Sequence, residues 1–249
     1  MAPTVRSTAA RALGLAVLAL LILSTGVAWA NTWGQRMVDT GHACPGGVCK
    51  IRGARARFVV QGAWSTAPDN SIYASVDVEP SAGSLIQIGY DLEGSAVPNL
   101  DDCGTGGNVL RINVEWEIAG VYHCRWGPPL SQGSSHELSV MRCAGTGEWC
   151  AYLDGRRFGA PHRLGPGSAA YVYVGAEQYQ PVISSVFGLD VGGQRGPLEV
   201  TRDPRRRDWV PVGNTTSCVL NDRGDFSVGP ITNAAFQITS LPSRARQGC

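Results

Sequence analysis

The chain has 249 residues and a formal net charge of +1, and 43% of its residues are hydrophobic. A chain of this length buries a large core, and its near-neutral charge argues against nucleic acid as the main partner. It has no Cys-x-x-Cys pair, no His-x-x-x-His spacing and no phosphate-loop, dinucleotide or serine-elbow motif. We therefore expect no metal and no cofactor.

Residues 1–30 have the features of a secretion signal. Arg6 and Arg11 form a positive start, residues 13–23 are apolar, and Ala-Trp-Ala at 28–30 fits a cleavage site. The apolar run is too short and wrongly flanked for a stable membrane span. We predict a secreted, extracellular protein that begins near Asn31, carries one net negative charge and has no membrane partner after cleavage.

The cysteines agree with an oxidising compartment. All eight follow the predicted signal, and an even count in that context predicts disulfides. Eight cysteines allow roughly a hundred connectivities. Local spacing favours the pairs Cys44–Cys49 and Cys143–Cys150. The pairs Cys103–Cys124 and Cys218–Cys249 would then be left. Arginine outnumbers lysine by 20 to 1, which we interpret as a bacterial coding bias.

Strict alternation of apolar and polar residues predicts the fold. We expect an N-terminal extension over 31–55 and a single sandwich domain over 56–249. Four segments alternate most regularly, at 72–79, 85–91, 110–118 and 171–177, and period two predicts β-strands with one side on a core. Turn residues separate them, which predicts an all-β, two-sheet antiparallel β-sandwich, and we expect a monomer. Further strands are predicted at 56–61, 121–126, 136–143, 148–153, 185–189, 198–201 and 234–240.

One hairpin supports a particular kind of sandwich. Residues 149–155 read Trp-Cys-Ala-Tyr-Leu-Asp-Gly, and Asp-Gly after a strand is a hairpin signal. The segment is similar to a hairpin of concanavalin A-like jelly rolls.

The polar sides of the four regular strands would form one surface if the strands share a sheet; we call this surface the polar face. Gln87 lies mid-strand between two isoleucines, and Glu115 and Glu177 lie on other strands. Each residue alone also fits a solvated sheet surface. Glu115 and Glu117 share a strand, whereas a glycosidase pair must flank the cleaved bond from opposite sides.

Four short motifs, in this order and spacing, resemble the eqolisin-type glutamic peptidases. Residues 85–91 (LIQIGYD) resemble the family's L-Q-T-G-V-D, which holds its catalytic glutamine, and 73–77 (YASVD) resemble W-V-G-I-D, with the Asp ten residues before the Gln. Residues 113–117 (NVEWE) keep the Glu-Trp of W-Y-E-W-Y, and 175–178 (GAEQ) keep the Ala-Glu of N-A-E-W. The resemblance covers about 56–240 and identifies a divergent, bacterial member.

The resemblance implies a concanavalin A-like β-sandwich and a metal-free acid endopeptidase that acts on unfolded protein or peptides. Glu177 would be the general base and Gln87 the donor to the oxyanion. We expect these two side chains on neighbouring strands, with atoms about 3–6 Å apart and sharing a water. Asp77, Asp91 and Glu115 would hold Gln87 and tune Glu177, and substrate contacts are expected from Tyr73, Trp116, Tyr171, Tyr173 and Tyr179.

An alternative from another class fits the same sequence. A non-catalytic carbohydrate- or surface-binding module on the same sandwich would use the tyrosines to stack on a glycan. A glycoside hydrolase is a third hypothesis.

Overall fold

The computed structural model describes a defined part of the chain. For residues 32–39, 171, 177–179, 186–187, 216–220, 226–228 and 235–240 it describes the backbone alone. It describes residues 32–39, 50–66, 71–81, 83–95, 103–104, 106–165, 167–169, 171–179, 186–192, 198–203, 205, 207–212, 216–220, 226–228 and 235–240.

Over these ranges the chain forms 16 β-strands, and none of the described residues forms a helix that could cross a membrane. The strands are β1 Thr32–Asp39, β2 Gly53–Ser65, β3 Ser71–Ser81, β4 Ser84–Glu93, β5 Arg111–Ile118, β6 Val121–Pro129, β7 Ser135–Arg142, β8 Trp149–Leu153, β9 Arg156–His162, β10 Tyr171–Tyr179, β11 Val186–Gly192, β12 Glu199–Thr201, β13 Val210–Pro211, β14 Thr216–Leu220, β15 Phe226–Val228 and β16 Ala235–Ser240.

The strands form two antiparallel sheets. The first has the order β14-β1-β10-β3-β4-β5-β6. The second has the order β15-β16-β11-β2-β7-β8-β9, and β12 joins it by pairing with β2 and β13. The prediction of an all-β, two-sheet antiparallel sandwich is confirmed.

The apolar sides of both sheets meet in one core, as the alternation predicts. In β3 and β4, Ile72, Val76, Ile86 and Ile88 are fully buried. Tyr90 packs edge-on against Phe58, and its hydroxyl donates to the Phe58 carbonyl at 3.0 Å. Burial raises the pKa of the Tyr90 phenol above its ordinary value, so Tyr90 acts as a neutral core residue.

The predicted hairpin at 149–155 is confirmed. β8 and β9 are joined at Asp154 and Gly155, which both have positive φ (49° and 75°). Such a turn matches the right-handed twist of the flanking strands. The Asp154 carboxylate accepts a hydrogen bond from the Glu137 amide at 2.9 Å and contacts His136 Nδ1 at 2.8 Å, which ties the turn to β7.

Five of the described strands, β1, β9, β13, β14 and β15, were not among the predicted strand segments. Residues 32–39 form β1, which pairs with β10 and β14 inside the first sheet, so this part of the predicted extension belongs to the sandwich. β9 was not predicted, because its Gly159 and Pro161 interrupt the alternation; pairing with β8 forms it. The predicted signal at 1–30 lies outside the described residues.

Two predicted disulfides, Cys103–Cys124 and Cys143–Cys150, are present. Cys103–Cys124 ties the loop before β5 to β6, and Cys143–Cys150 closes the turn between β7 and β8. The side chains of the other four cysteines, Cys44, Cys49, Cys218 and Cys249, lie outside the described part of the chain.

Candidate functional site

Three rows of residues cross the first sheet on its polar face. In the first row, Asp77 of β3 lies opposite Gln87 of β4, which lies opposite Glu115 of β5. Directly opposed residues of antiparallel strands share a side of the sheet. On the other flank of β3, Tyr173 of β10 continues this row.

The middle row is built from small residues. Gly175, Ser75 and Gly89 lie opposite one another on β10, β3 and β4, and Asn113 of β5 completes the row. Glycine and serine project little from a sheet, so another chain can approach its backbone closely. The middle row therefore forms the floor between the first row and a third row, which contains Glu177, Tyr73 and Asp91.

Gln87 is held by a buried hydrogen-bond network. Its Nε2 donates to Glu115 Oε2 at 2.6 Å. Asn113 Nδ2 donates to Glu115 Oε1 at 3.0 Å and to Asp91 Oδ2 at 2.8 Å. Gln87 is 6% exposed, Asp91 2% and Asn113 0%. The three predicted residues Gln87, Glu115 and Asp91 are thus brought together, and Asn113 joins them.

The network gives the Gln87 amide a defined orientation. A carboxamide has two N–H donors and one acceptor oxygen, and Glu115 uses one of the donors. Within the described residues Gln87 makes no other hydrogen bond. Its second N–H and its carbonyl oxygen are therefore available to a bound molecule. Hydrogen bonds to a carboxylate are about twice as strong as neutral ones, so the Glu115 contact is a firm anchor.

Tyr73 lies across the floor of the middle row. Its hydroxyl donates to the Asn113 carbonyl at 3.4 Å, and its ring covers Gly89. A Cβ added at residue 89 would clash with the Ala74 carbonyl oxygen and would lie 2.9 Å from both Ser75 Cβ and Tyr73 Cε2, so this position requires glycine. Tyr73 is only 4% exposed. It forms part of the wall of the site and does not present an open face to a ligand.

The expected neighbouring positions of Gln87 and Glu177 are wrong. β3 lies between β4 and β10, so the two residues are two strands apart. Gln87 is in register with Tyr173, four residues before Glu177. Strand spacing and rise per residue place their Cα atoms roughly 17 Å apart. Whether the two side chains share a water stays a prediction, because the structure describes only the backbone of Glu177.

Trp116 lies on the other side of β5. It is in register with Ile86 of the core side, and its ring stacks on His162 at 4.1 Å and on His123 at 5.6 Å. Burial, and then the nearby His123, lower the pKa of His162. Trp116 therefore faces away from Gln87, and the expected substrate contact at Trp116 stays a prediction.

The remaining predicted residues lie around the three rows. Asp77 is half-buried and opposite Gln87. The Tyr173 hydroxyl donates to Glu79 Oε2 at 3.1 Å. Tyr171, Glu177 and Tyr179 are placed by backbone register alone. Among the residues that the structure describes, no group of three His, Cys, Asp or Glu side chains could hold a metal ion.

Solved structures of glutamic peptidases are similar to this chain. Scytalido-glutamic peptidase with a transition-state analog inhibitor matches with a TM-score of 0.57 at 13% identity, over 85% of this chain and 98% of that one. SCP-B, a member of the eqolisin family in complex with the tripeptide Ala-Ile-His, matches with a TM-score of 0.54 at 12% identity and the same coverage. The chain shares the fold of the glutamic peptidases. Its concanavalin A-like class is thereby confirmed.

Sequence comparison adds nothing to this likeness. No model of a protein family matches the chain, and no curated protein matches it. At 12–13% identity the likeness to the glutamic peptidases establishes the fold alone.

Asn113 is the residue of the site that the sequence did not single out. It lies two positions before Glu115, and the alternation already assigned it to the polar side of β5. The glutamic-peptidase motif has a tryptophan at that place, so the resemblance gave Asn113 no role. The signal available in the sequence was an amide side chain in a strand whose other residues are apolar or charged. Such an amide indicates a hydrogen-bonding role, because buried polar groups are normally hydrogen-bonded.

Proposed function

We propose that this protein is a secreted, metal-free acid endopeptidase of the glutamic type. The observation that carries the proposal is the Gln87 amide, which is buried, fixed by Glu115 and left with one unused N–H. The glutamic-peptidase fold, the predicted signal and the two described disulfides support it. The substrate is an unfolded protein or peptide.

In the proposed reaction Glu177 accepts a proton from a water as that water attacks the peptide carbonyl. The Gln87 N–H donates to the oxygen of the tetrahedral intermediate, which gains negative charge. Glu177 then transfers the proton to the leaving nitrogen, and the C–N bond breaks. A fixed neutral donor of this kind contributes about 3–4 kcal/mol to lowering the barrier.

The reaction requires that a water and a peptide carbonyl lie between Glu177 and Gln87. A base, an attacking water and a carbonyl in line require two hydrogen bonds of about 2.8 Å and a water-to-carbon approach of about 3–3.5 Å. Allowing for the angles between them, these contacts span roughly 7 Å. The register, which sets the Cα atoms of Gln87 and Glu177 roughly 17 Å apart, supports a site in which the substrate lies between them.

Glu115, Asn113 and Asp91 are positioning residues in this proposal. Glu115 holds Gln87, and Asn113 holds Glu115 and Asp91 together. The glycan alternative has less support on the polar face. Of its proposed stacking residues, Tyr73 is buried and Tyr173 is hydrogen-bonded to Glu79.

The test is cleavage of an unfolded protein by the purified mature chain between pH 2 and 7, with and without a chelator. We expect metal-independent cleavage in acid. Glu177→Gln should abolish it, because the amide has the shape of the acid but cannot accept the proton. Gln87→Ala should lower kcat at least about a hundredfold.

Glu117→Gln is the matched control, since Glu117 lies on β5 beside Glu115 but in a different row of the sheet. It should retain wild-type cleavage. The proposal fails if the wild type cleaves nothing over this pH range, or if Glu177→Gln cleaves as the wild type does.

A further inference from the structure

A cavity of about 300 Å³ lies on the outer side of the second sheet. Arg55 and Arg57 alternate along β2 with the core residues Ala54, Ala56 and Phe58, so the two arginines face away from the core. The polar face belongs to the first sheet, so this cavity is a separate feature. Its charged and polar lining comes from Arg55, Arg57, Ser135, Glu137, Asp154 and Glu199.

One arginine in the lining is shared by two carboxylates. Arg55 Nε contacts Glu199 Oε2 at 3.0 Å, and Arg55 Nη1 contacts Glu137 Oε2 at 3.3 Å. The Arg55 guanidinium also lies 4.5 Å from the centre of the Trp209 ring, which fixes it in place. Around Arg55, negative charge therefore exceeds positive charge by one.

The Glu199 carboxylate is only half satisfied. The residue is 2% exposed, and its second oxygen, Oε1, has no hydrogen-bond partner among the described residues. A buried carboxylate oxygen without a donor is costly, and buried polar atoms in folded proteins are normally hydrogen-bonded. Because Glu199 also lines the cavity, a donor could be supplied by a molecule that occupies it.

The rest of the lining does not supply this donor. Arg57 is exposed and donates through Nε to Ser135 Oγ at 2.8 Å. Asp154 is an acceptor and is engaged by His136 and by the Glu137 amide. None of these groups is seen to donate to Glu199 Oε1, and the unbalanced charge of the lining is negative.

We propose that this cavity binds a small organic cation, an ammonium or guanidinium group, whose N–H donates to Glu199. A volume of about 300 Å³ is at the lower end of ligand pockets and suits one amine or one basic side chain. The cation could be a free amine or the side chain of a lysine or arginine in a peptide. Both would present the same donor to the same oxygen.

The test is a titration of the ¹⁵N-labelled mature protein with ethylammonium and ethylguanidinium, followed by the backbone amide shifts of Glu199 and Arg55. Ethanol and acetate serve as the neutral and anionic probes. A capped Gly-Arg-Gly peptide tests whether the cavity also binds a cation that is the side chain of a peptide. We expect saturable shifts with the two cations and none with ethanol or acetate. Shifts with the peptide would show that the cation is a side chain of a peptide, whereas their absence would show that it is a free amine.

Three variants make the result specific. Glu199→Gln should weaken cation binding at least about tenfold, because it removes the charge of the acceptor. Glu148→Gln, which alters a carboxylate paired with Arg163 outside the cavity, should not change it. Arg57→Gln should strengthen binding about twofold or more, because it removes a positive charge at the rim of the cavity. Because Arg57 is exposed, this variant should fold as the wild type does.

The proposal is overturned if ethanol binds as well as the cations, if Glu199→Gln binds with wild-type affinity, or if Arg57→Gln weakens binding. Absence of any saturable binding would overturn it as well and would leave Glu199 Oε1 with a buried water only.

Discussion

Replacing Asn113 by aspartate should destabilise the protein strongly at neutral pH and much less in acid. The change replaces Asn113 Nδ2, which donates two hydrogen bonds, with an oxygen that can only accept when the carboxyl is ionised. Asn113 Nδ2 now lies 2.8 Å from Asp91 Oδ2 and 3.0 Å from Glu115 Oε1. In Asn113→Asp three carboxyl groups would meet in a place where Asn113 is fully buried.

The size of the destabilisation follows from comparing two free-energy costs: keeping the introduced carboxyl ionised, or protonating it. Two contacts between ionised carboxylates about 3 Å apart would cost on the order of 10 kcal/mol together at an effective dielectric constant of 20. Protonating the introduced carboxyl at pH 7 costs about 4 kcal/mol, given an ordinary pKa of about 3.9. The protein should therefore protonate it. The new O–H can then restore one of the two lost hydrogen bonds, and the other loss adds about 1.5–3 kcal/mol.

We expect the free energy of unfolding to fall by roughly 5–7 kcal/mol at pH 7 and by roughly 2–3 kcal/mol near pH 4. The sign follows because like charges raise the pKa of the introduced carboxyl in the folded state. The folded state then binds more protons than the unfolded one, and the penalty shrinks as pH falls. Urea unfolding of wild type and variant at matched pH values measures it.

The control for this prediction is Asn108→Asp. Asn108 is exposed in the turn before β5, away from the buried network, and the same chemical change there should shift stability by less than about 0.5 kcal/mol. A penalty for Asn113→Asp that is small, or that does not change between pH 7 and 4, would refute the network as described.

Three further outcomes are expected. Gly89→Ala should destabilise by about 1–3 kcal/mol in urea unfolding, because its Cβ would clash with the Ala74 carbonyl oxygen and with the Ser75 and Tyr73 side chains; a neutral result would contradict this close packing over Gly89. For His162 the lowered folded-state pKa means that stability is lost as pH falls below about 6.5, where the unfolded state gains its proton first. His162→Phe should flatten the pH dependence of thermal unfolding there, and an unchanged slope would contradict this. Replacing Cys143 and Cys150 by alanine should cost about 2–3 kcal/mol in urea unfolding, since the disulfide closes a short loop; no loss would show that the bridge is unimportant.

The strands with one apolar side were predictable because burial acts on each residue locally. In β3, β4 and β5 every second residue had to face the core, and their observed bounds enclose or closely match the predicted segments. β1 and β9 lack that signal. β1 forms between β10 and β14, and β9 forms along β8, so their partners determine them.

The site was predictable by side of the sheet but not by register. Alternation placed Gln87, Asp91 and Glu115 on one side, and the structure joins them. The relation of Gln87 to Glu177 depends on how β10 pairs with β3, and β10 is far from β3 in sequence. No local pattern encodes that pairing, so the expectation that Gln87 and Glu177 lie on neighbouring strands was wrong.

Trp116 shows what alternation predicts within a motif. The Glu-Trp pair resembled a family motif, but alternation already assigned the two residues to opposite sides of β5. The structure follows the alternation, because the Trp116 ring is more stable packed against His162 than exposed on the polar face. Alternation therefore predicted the side of the sheet on which each residue of this motif lies.

The most direct test of the proposed reaction is a crystal structure with a peptide inhibitor that carries a tetrahedral centre with two oxygens. We predict that Gln87 Nε2 lies about 3 Å from one oxygen and the Glu177 carboxylate about 3 Å from the other, with Glu115 still bonded to Gln87. An inhibitor bound away from Gln87, or a Glu177 carboxylate that cannot reach the tetrahedral centre, would contradict the account.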